Sequence, residues 1–325
     1  MQLKLMNYNL FSPGLFRLML SFLVVLSHLS NWEVGKPAVM AFFILSGYWV
    51  SKMYSEKYVN NTFVFFISRF LRIWPLYMAV TIVTILAYYF ILDTSYDIYF
   101  SDLFIISAAT YSSNYQSVSW SLDVELQFYI FIPLILSFIR MHVSKMFFIV
   151  LLLFALAYIV NEMFGVVMFL YYIVPFVSGI LLYKYKYKYI FCFYWASASL
   201  IAFLLFGVVI FNSEDFSIFL FKDSPVFISE DIFGMIWVSM LIPFIGYNVT
   251  VKSTVFDRHL GNYSYSLYLV HWPVIFSMKS NGQYDFSIIE ILGAVIFFGL
   301  LFYNFIEIPI EKFRVKYVNK LILRV

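Results

Sequence analysis

The chain has 325 residues, of which 63% are hydrophobic and 12% charged, against roughly 25% charged in a soluble domain. This excludes a soluble globular protein: at about 20 apolar residues per spanning helix there is room for about ten spans and their loops, and none for a separate soluble domain. A net charge of +3 without a basic domain gives no case for nucleic acid as a partner, and the one cysteine, Cys192, excludes an intramolecular disulfide and a Cys-based metal cluster.

In chain order, apolar runs fall at 15–32, 37–50, 74–92, 124–139, 146–161, 165–183, 189–211, 232–247, 260–278 and 287–306. They predict an all-α polytopic membrane protein of about ten transmembrane helices. The first run holds Arg17 and His28 and has no small-residue cleavage site after it, so it is expected to stay as helix one. Residues 103–111 are apolar but too short to cross, and are expected to be interfacial or re-entrant. With the N-terminus inside, all Lys and Arg residues collect on the cytoplasmic side except Arg17, in the first run, and Lys36, Lys222 and Lys279 outside. Short loops rich in Lys and Arg are retained inside, so both termini are expected to be cytoplasmic. A full span at 103–111 would move Lys184, Lys186 and Lys188 outside, against that rule. The alternating Tyr and Lys residues of 183–189 read as an interfacial belt with cationic anchors, and the acidic loop 212–231 falls outside.

Chemistry is expected where ionisable residues enter these runs, because they are costly in lipid and line cavities or pathways. Arg17 and His28 are eleven residues apart, about 20° around a helix and about 16 Å along it, so they share one face at two depths. The plainer reading is a snorkelling Arg and a core His. Arg69 and Arg72 lie one turn apart in TFVFFISRFLRIWP, just before Pro75 opens the third span, where guanidinium forks and helix N-terminal amides together suit a phosphate. Ordinary inside anchoring is the alternative. At the outer end of the fourth span, SWSLDVELQFY carries Asp123, Glu125, Gln127 and Tyr129. Glu125 is a candidate to orient and charge-stabilise His28 as a general base, with solvated interfacial acids as the alternative, more so for Asp123. His271 on the ninth span has a depth comparable to His28, and two imidazoles and a carboxylate are expected to converge. Ser46 and Gly47 read as small residues for close helix approach; His142 and His259 receive no role.

These stretches resemble the acyltransferase family 3 membrane proteins, bacterial O-acyltransferases of cell-surface glycans. The likeness runs nearly end to end: Arg17 to His28 as the family's Arg-x10-His, AFFILSGYWVS at 41–51, SRFLRIWPLY at 68–77, WSLDVELQFYIFIPLIL at 120–136, LGNYSYSLYLVHWPV at 260–274 and YNFIEIPIEK at 303–312. The chain departs at Leu18, often Gly in the family, and at Asp123, often a small residue. The resemblance implies an acyl-CoA donor, usually acetyl-CoA, a carbohydrate hydroxyl as acceptor, His28 as the essential histidine, and importance for Arg17, Arg69, Arg72 and Glu125. It also implies a bacterial inner membrane and one membrane domain over 1–325, expected without the extracytoplasmic hydrolase-like domain of some relatives.

Together these readings assign Arg17, Arg69 and Arg72 to a cytoplasmic site for coenzyme A phosphates, and His28 with Glu125 to an outer-half site. Asp123, Gln127, Tyr129, Ser264 and His271 are candidates for the acceptor side or for support. Transfer is expected to be direct, with no metal; transient acylation of His28 or of a hydroxyl such as Ser264 stays open. Two rivals are a transporter or flippase for lipid-linked sugars, disfavoured by the lack of a repeated half, and an acyltransferase acting on a lipid or small metabolite.

Overall fold

Hydrocarbon offers a backbone no water to bond, so an apolar run closes its amides internally as helix. Each of the ten runs overlaps a helix among the described residues of the computed structural model, which are 12–30, 32, 34–91, 97–111, 115–138, 142–185, 193–212, 229–280 and 286–323. In order these are α1 (Pro13–Leu29); α2 (Gly35–Met53), continuing as a π turn Tyr54–Tyr58; α3 (Thr62–Ile91); a short α4 (Phe100–Phe104); α5 (Ser119–Phe138); α6 (Val143–Phe164); a 3-10 turn Phe169–Tyr172 running into α7 (Ile173–Tyr185); α8 (Phe193–Asn212); α9 (Glu230–Ser239); α10 (Ile242–Asn248); α11 (Val255–Ser280); α12 (Ile288–Phe302); and a π turn Tyr303–Glu307 leading into α13 (Ile308–Ile322). Among the described residues every regular element is helical. Cys192, Lys186, Lys188, Arg140 and most of the acidic loop 212–231 lie outside the described residues.

Five stretches are long and apolar enough to cross a membrane: Thr62–Phe90, Ser119–Phe138, Ser144–Phe164, Phe193–Ile210 and Ile288–Ile322. Helices α9 and α10, bent by 59° at their junction, pass the same test only as a pair, and count as a sixth if the pair is one broken span and not a re-entrant loop. Pro13–Leu29 and Phe169–Tyr185 are apolar but shorter. Helix α6 shows why lipid is the solvent: only 11% of its apolar window is buried, and Phe147, Phe148, Leu152 and Leu156 all face outward, a surface that water would not tolerate.

One boundary differs from the sequence expectation, and two further local features add detail to it. The third run is the C-terminal part of a helix that starts at Thr62, so Pro75 lies inside α3 and opens nothing. Membrane helices tolerate an internal proline because neighbouring helices, polar side chains and local backbone adjustments re-satisfy the group it frees. Residues 103–111 are not one helix: α4 ends at Phe104 and the chain turns through Ile105 and Ser107, both at positive φ (59° and 60°). Side chains hold that turn, with Trp74 Nε1 donating to the Leu103 carbonyl (3.0 Å), Tyr77 Oη to that of Asp102 (2.6 Å), and the Ala109 amide to Asp123 Oδ2 (3.0 Å). Finally, α6 stops at Gly165, which adopts φ +65° and returns its amide to Asn161 (2.8 Å), the left-handed C-cap that glycine adopts without a Cβ penalty.

The chain divides into two compact units, one of residues 1–38 and 186–265, the other of 39–185 and 266–325. In the first, the start of α1 meets the start of α11 at glycines. A Cβ on Gly14 would stand 1.7 Å from the Asp257 carbonyl oxygen, and one on Gly261 would stand 3.1 Å from Gly14 Cα. Phe16 packs edge-on against Phe244 (4.7 Å), and Trp237 stacks on Phe203 while donating to its carbonyl (3.1 Å). Lys36 and Asp231 pair at 2.7 Å.

In the second unit α2 and α7 approach backbone to backbone. A Cβ on Gly47 would lie 2.1 Å from the Phe176 carbonyl oxygen, and one on Gly179 would lie 1.9 Å from that of Ile44, the small-residue contact by which apolar helices associate without a hydrophobic driving force. Phe176 stacks between Phe43 (4.7 Å) and Phe128 (4.0 Å), and α3 lies along α13.

Candidate functional site

Helix α3 carries Arg69 and Arg72 at a spacing of three, so both guanidinium groups leave one face. Helix α13 and the π turn before it supply the facing charges. Arg72 Nη1 donates to Glu307 Oε1 at 2.6 Å, and the other carboxylate oxygen, Oε2, accepts from the Ser266 hydroxyl. Arg314 forks onto Glu311, with Nε to Oε2 at 2.9 Å and Nη2 to Oε1 at 2.5 Å, and its Nη1 reaches Ser68 Oγ at 2.8 Å. Arg69 is buried, 8% exposed; its Nη2 contacts Met53 Sδ (3.8 Å), and its guanidinium lies 5.9 Å from the Tyr129 ring centre. Three arginines and two glutamates thus share one interface. A buried guanidinium is tolerable only with such partners, because isolated charge is costly away from water.

Tyr129 extends this cluster. Its hydroxyl donates to Glu125 Oε1 at 2.5 Å, and the same oxygen accepts from Ser46 Oγ at 2.6 Å. Ser46 is therefore a hydrogen-bond donor as well as a small residue, and Gly47 beside it makes the close approach to α7. The sequence separates Arg69 and Glu125 by the depth of a membrane; the structure joins them through one tyrosine. Because α3 begins at Thr62, Arg69 stands seven residues, about 10 Å, inside the helix. The helix N-terminal amides expected beside the arginines lie instead two turns earlier.

Asp123 is not a solvated acid. It is 4% exposed, accepts from the Ala109 amide at 3.0 Å and from Gln127 Nε2 at 3.1 Å, and Gln127 Oε1 accepts the Phe169 amide at 3.0 Å. These two side chains hold the turn after α4 and the 3-10 turn before α7, a supporting role. His271 is fully buried with Nδ1 2.5 Å from the Tyr268 carbonyl. A carbonyl can only accept, so Nδ1 bears the proton. The Tyr268 hydroxyl in turn bonds Ser121 at 2.7 Å.

The first unit holds Arg17 and His28 on the uninterrupted helix α1, both half-buried, with His28 in its last turn. Ser21 Oγ, one turn after Arg17, donates to the Ser264 carbonyl (2.9 Å), and Ser264 Oγ donates to Gly261 within its own helix (2.8 Å). Asp257 caps α1 from α11, its carboxylate accepting the amides of Gly14 (3.0 Å) and Leu15 (2.9 Å) and the hydroxyl of Ser253 (2.5 Å). Such groups are the orphan donors of a helix start, where a negative charge is favourable. Burial pushes the Asp257 carboxyl up, but the hydrogen bonds from Ser12, Ser253, Gly14 and Leu15 outweigh it and hold the group below its ordinary value.

Sequence reasoning missed Ser46, Asp257, Ser266, Glu307, Glu311 and Arg314. Glu307 did carry a signal, an acid at the end of an apolar run. Ser266 and Ser46 carried none, since a serine in a helix becomes a donor of note only when a carboxylate faces it.

With this geometry in view, a family model described as an acyltransferase domain, acyltransferase 3, matches residues 10–306, and the chain belongs to that family. Among curated proteins it is similar to three from Staphylococcus aureus strains COL, MSSA476 and MRSA252, each bearing the name "Putative O-acetyltransferase". Each is 26% identical over 343 aligned positions, covering 91% of this chain and 56% of the relative. The chain therefore spans little more than half the length of these relatives. No solved structure is significantly similar.

Proposed function

We propose that the protein transfers an acyl group, acetyl in the simplest case, from cytoplasmic acyl-CoA to a hydroxyl of a cell-surface or lipid-linked glycan. The observation that carries this reading is the acyltransferase family match over residues 10–306, and the arginines of α3 supply a fitting anion site. The reading includes ten spans with both termini in the cytoplasm of a bacterial inner membrane, supported by the bias of Lys and Arg to one side.

In this mechanism Arg69 and Arg72 bind the donor phosphates, and Arg17 is assigned the same task from the family resemblance. His28 is the general base. It takes the proton of the acceptor hydroxyl, the oxygen attacks the thioester carbonyl, and the C–S bond breaks to give the ester. The departing coenzyme A thiolate then accepts the proton from His28, so no acyl-enzyme forms. Glu125 is assigned, from the sequence and the family resemblance, to support the imidazolium in the transition state; the Ser46 and Tyr129 hydroxyls bond one of its oxygens. Along α1, Arg17 and His28 stand about 16 Å apart, roughly the reach of a pantetheine arm.

The test is release of free coenzyme A from acetyl-CoA by the purified protein in nanodiscs, with and without a mixed surface-glycan fraction. Glycan-stimulated release that His28→Ala lowers by about 10²–10⁴-fold, with donor binding kept, is the expected result. Coenzyme A binding without turnover on any glycan pool, lipid or small hydroxyl compound would remove the transferase reading.

A further inference from the structure

We infer that Arg314 is a further phosphate-binding arginine, forming with Arg69 and Arg72 a site for the polyphosphate end of the donor. The inference rests on the acyl-CoA reading above and extends it to a residue on another helix. Arg314 reaches α3 directly: its Nη1 bonds Ser68 Oγ at 2.8 Å, and Ser68 adjoins Arg69 and lies one turn before Arg72. On the facing helix, Glu307, Glu311 and Arg314 follow at spacings of four and three, one stripe opposite Ser68, Arg69 and Arg72. Arg314 and Arg72 are both electrostatic neighbours of Arg69.

The donor count supports a ligand role. A guanidinium carries five N–H groups; the bonds to Glu311 and Ser68 take three of them, leaving one on each terminal nitrogen. The two carboxylates differ. Glu307 is almost wholly buried, its side chain 4% exposed, with both oxygens bonded, so it anchors Arg72. Glu311 is 27% exposed and gives both oxygens to Arg314, so a phosphate arriving at Arg314 meets a carboxylate already competing for the same fork. Removing that competitor is expected to tighten polyanion binding, whereas removing the arginine weakens it.

Equilibrium binding of coenzyme A and of inorganic pyrophosphate to the full chain in nanodiscs tests this, with a thermal melt for each variant. Arg314→Gln is expected to raise the Kd of both probes about tenfold with kcat at saturating donor retained, and Arg314→Lys to recover part of the loss, since it keeps the charge without the fork. Glu311→Gln is expected to lower both Kd values severalfold. A merely structural Arg314–Glu311 pair predicts instead that both substitutions weaken binding together and lower the melting temperature together. That pattern, or an unchanged Kd in Arg314→Gln, overturns the inference. If Arg314→Gln does not fold, Glu311→Gln decides: tighter binding supports the site, and unchanged or weaker binding overturns it. Wild-type protein that binds coenzyme A, with Arg69→Gln impaired and Arg314→Gln unaffected, removes Arg314 and keeps the acyl-CoA reading. Folded wild-type protein that binds neither probe removes both.

Discussion

Glu307 accepts hydrogen bonds from the Arg72 guanidinium and the Ser266 hydroxyl, whereas Glu125, in the same unit, accepts on one oxygen from two neutral hydroxyls, those of Ser46 and Tyr129. The first carboxylate has its charge balanced by a fixed cation. Among the described residues the second has only hydroxyl donors on that oxygen, and in the proposed mechanism it is the carboxylate that supports an imidazolium. In that mechanism the difference separates the two roles. An ion pair fixes the field of an arginine, and a carboxylate held by hydroxyls stabilises charge that develops during a reaction. Two glutamates that look alike in sequence thus differ in their partners, one held by a guanidinium and a hydroxyl and the other by two hydroxyls.

The sharpest way to break this comparison is Arg72→Ala. It leaves Glu307 buried without its cation, and the expected cost is about 3–5 kcal/mol of stability, read as a lowered melting temperature in nanodiscs. Arg72→Met with Glu307→Gln removes the charge pair while keeping a group for Ser266 to bond, and is expected to regain most of the loss without regaining coenzyme A binding. If Arg72→Ala melts with wild type, the Arg72–Glu307 pair does not contribute to stability as a buried ion pair.

Glu125→Gln should behave in the opposite sense. The amide oxygen still accepts from Ser46 and Tyr129, so the melting temperature is expected to stay close to wild type while kcat falls about 10²-fold, the lower end of what an acid–base group contributes. A melt as severe as that of Arg72→Ala would erase the distinction. Tyr129→Phe removes one of the two orienting hydroxyls and is expected to cost about 1 kcal/mol, or roughly fivefold in kcat, with the donor Kd nearly kept.

The smallest effect concerns Asp257, a third carboxylate held by neutral donors but outside the apolar run of its helix. Its folded-state pKa lies below the ordinary value, so its contribution is present above the unfolded-state pKa and is lost as pH falls through the folded-state one. Acid melts of wild type and Asp257→Asn are therefore expected to converge at low pH and to separate near neutrality by about 1 kcal/mol, the value of a helix cap. Parallel melts at every pH would refute the assignment.

The helical architecture was legible because each apolar run can do little else in lipid, and every run overlaps a helix among the described residues. Boundaries were less so: an apolar count begins the third run at 74, but amphipathic turns continue the helix back to Thr62, because the buried face of α3 carries Ser68 and Arg69 against α13 where hydropathy sees only polar residues. That shift changed the chemistry, since it carried Arg69 to Tyr129 and so to Glu125. Asp123 misled for a related reason. A carboxylate at a helix start reads as solvated unless one knows that the turn after α4 folds back to offer it an amide.

By itself, then, the sequence determined the solvent, the helices, the likeness to acyltransferases and the residues Arg17, His28, Arg69, Arg72 and Glu125 as candidates, because hydropathy, charge placement and motif spacing are properties of the chain alone. Only the tertiary structure decided which carboxylate faces a guanidinium and which faces hydroxyls, that Ser46 is a donor, and that Arg314 shares the interface of Arg69 and Arg72. Those facts depend on which helix lies beside which, and a distance of 3 Å between residues more than two hundred positions apart is set by packing.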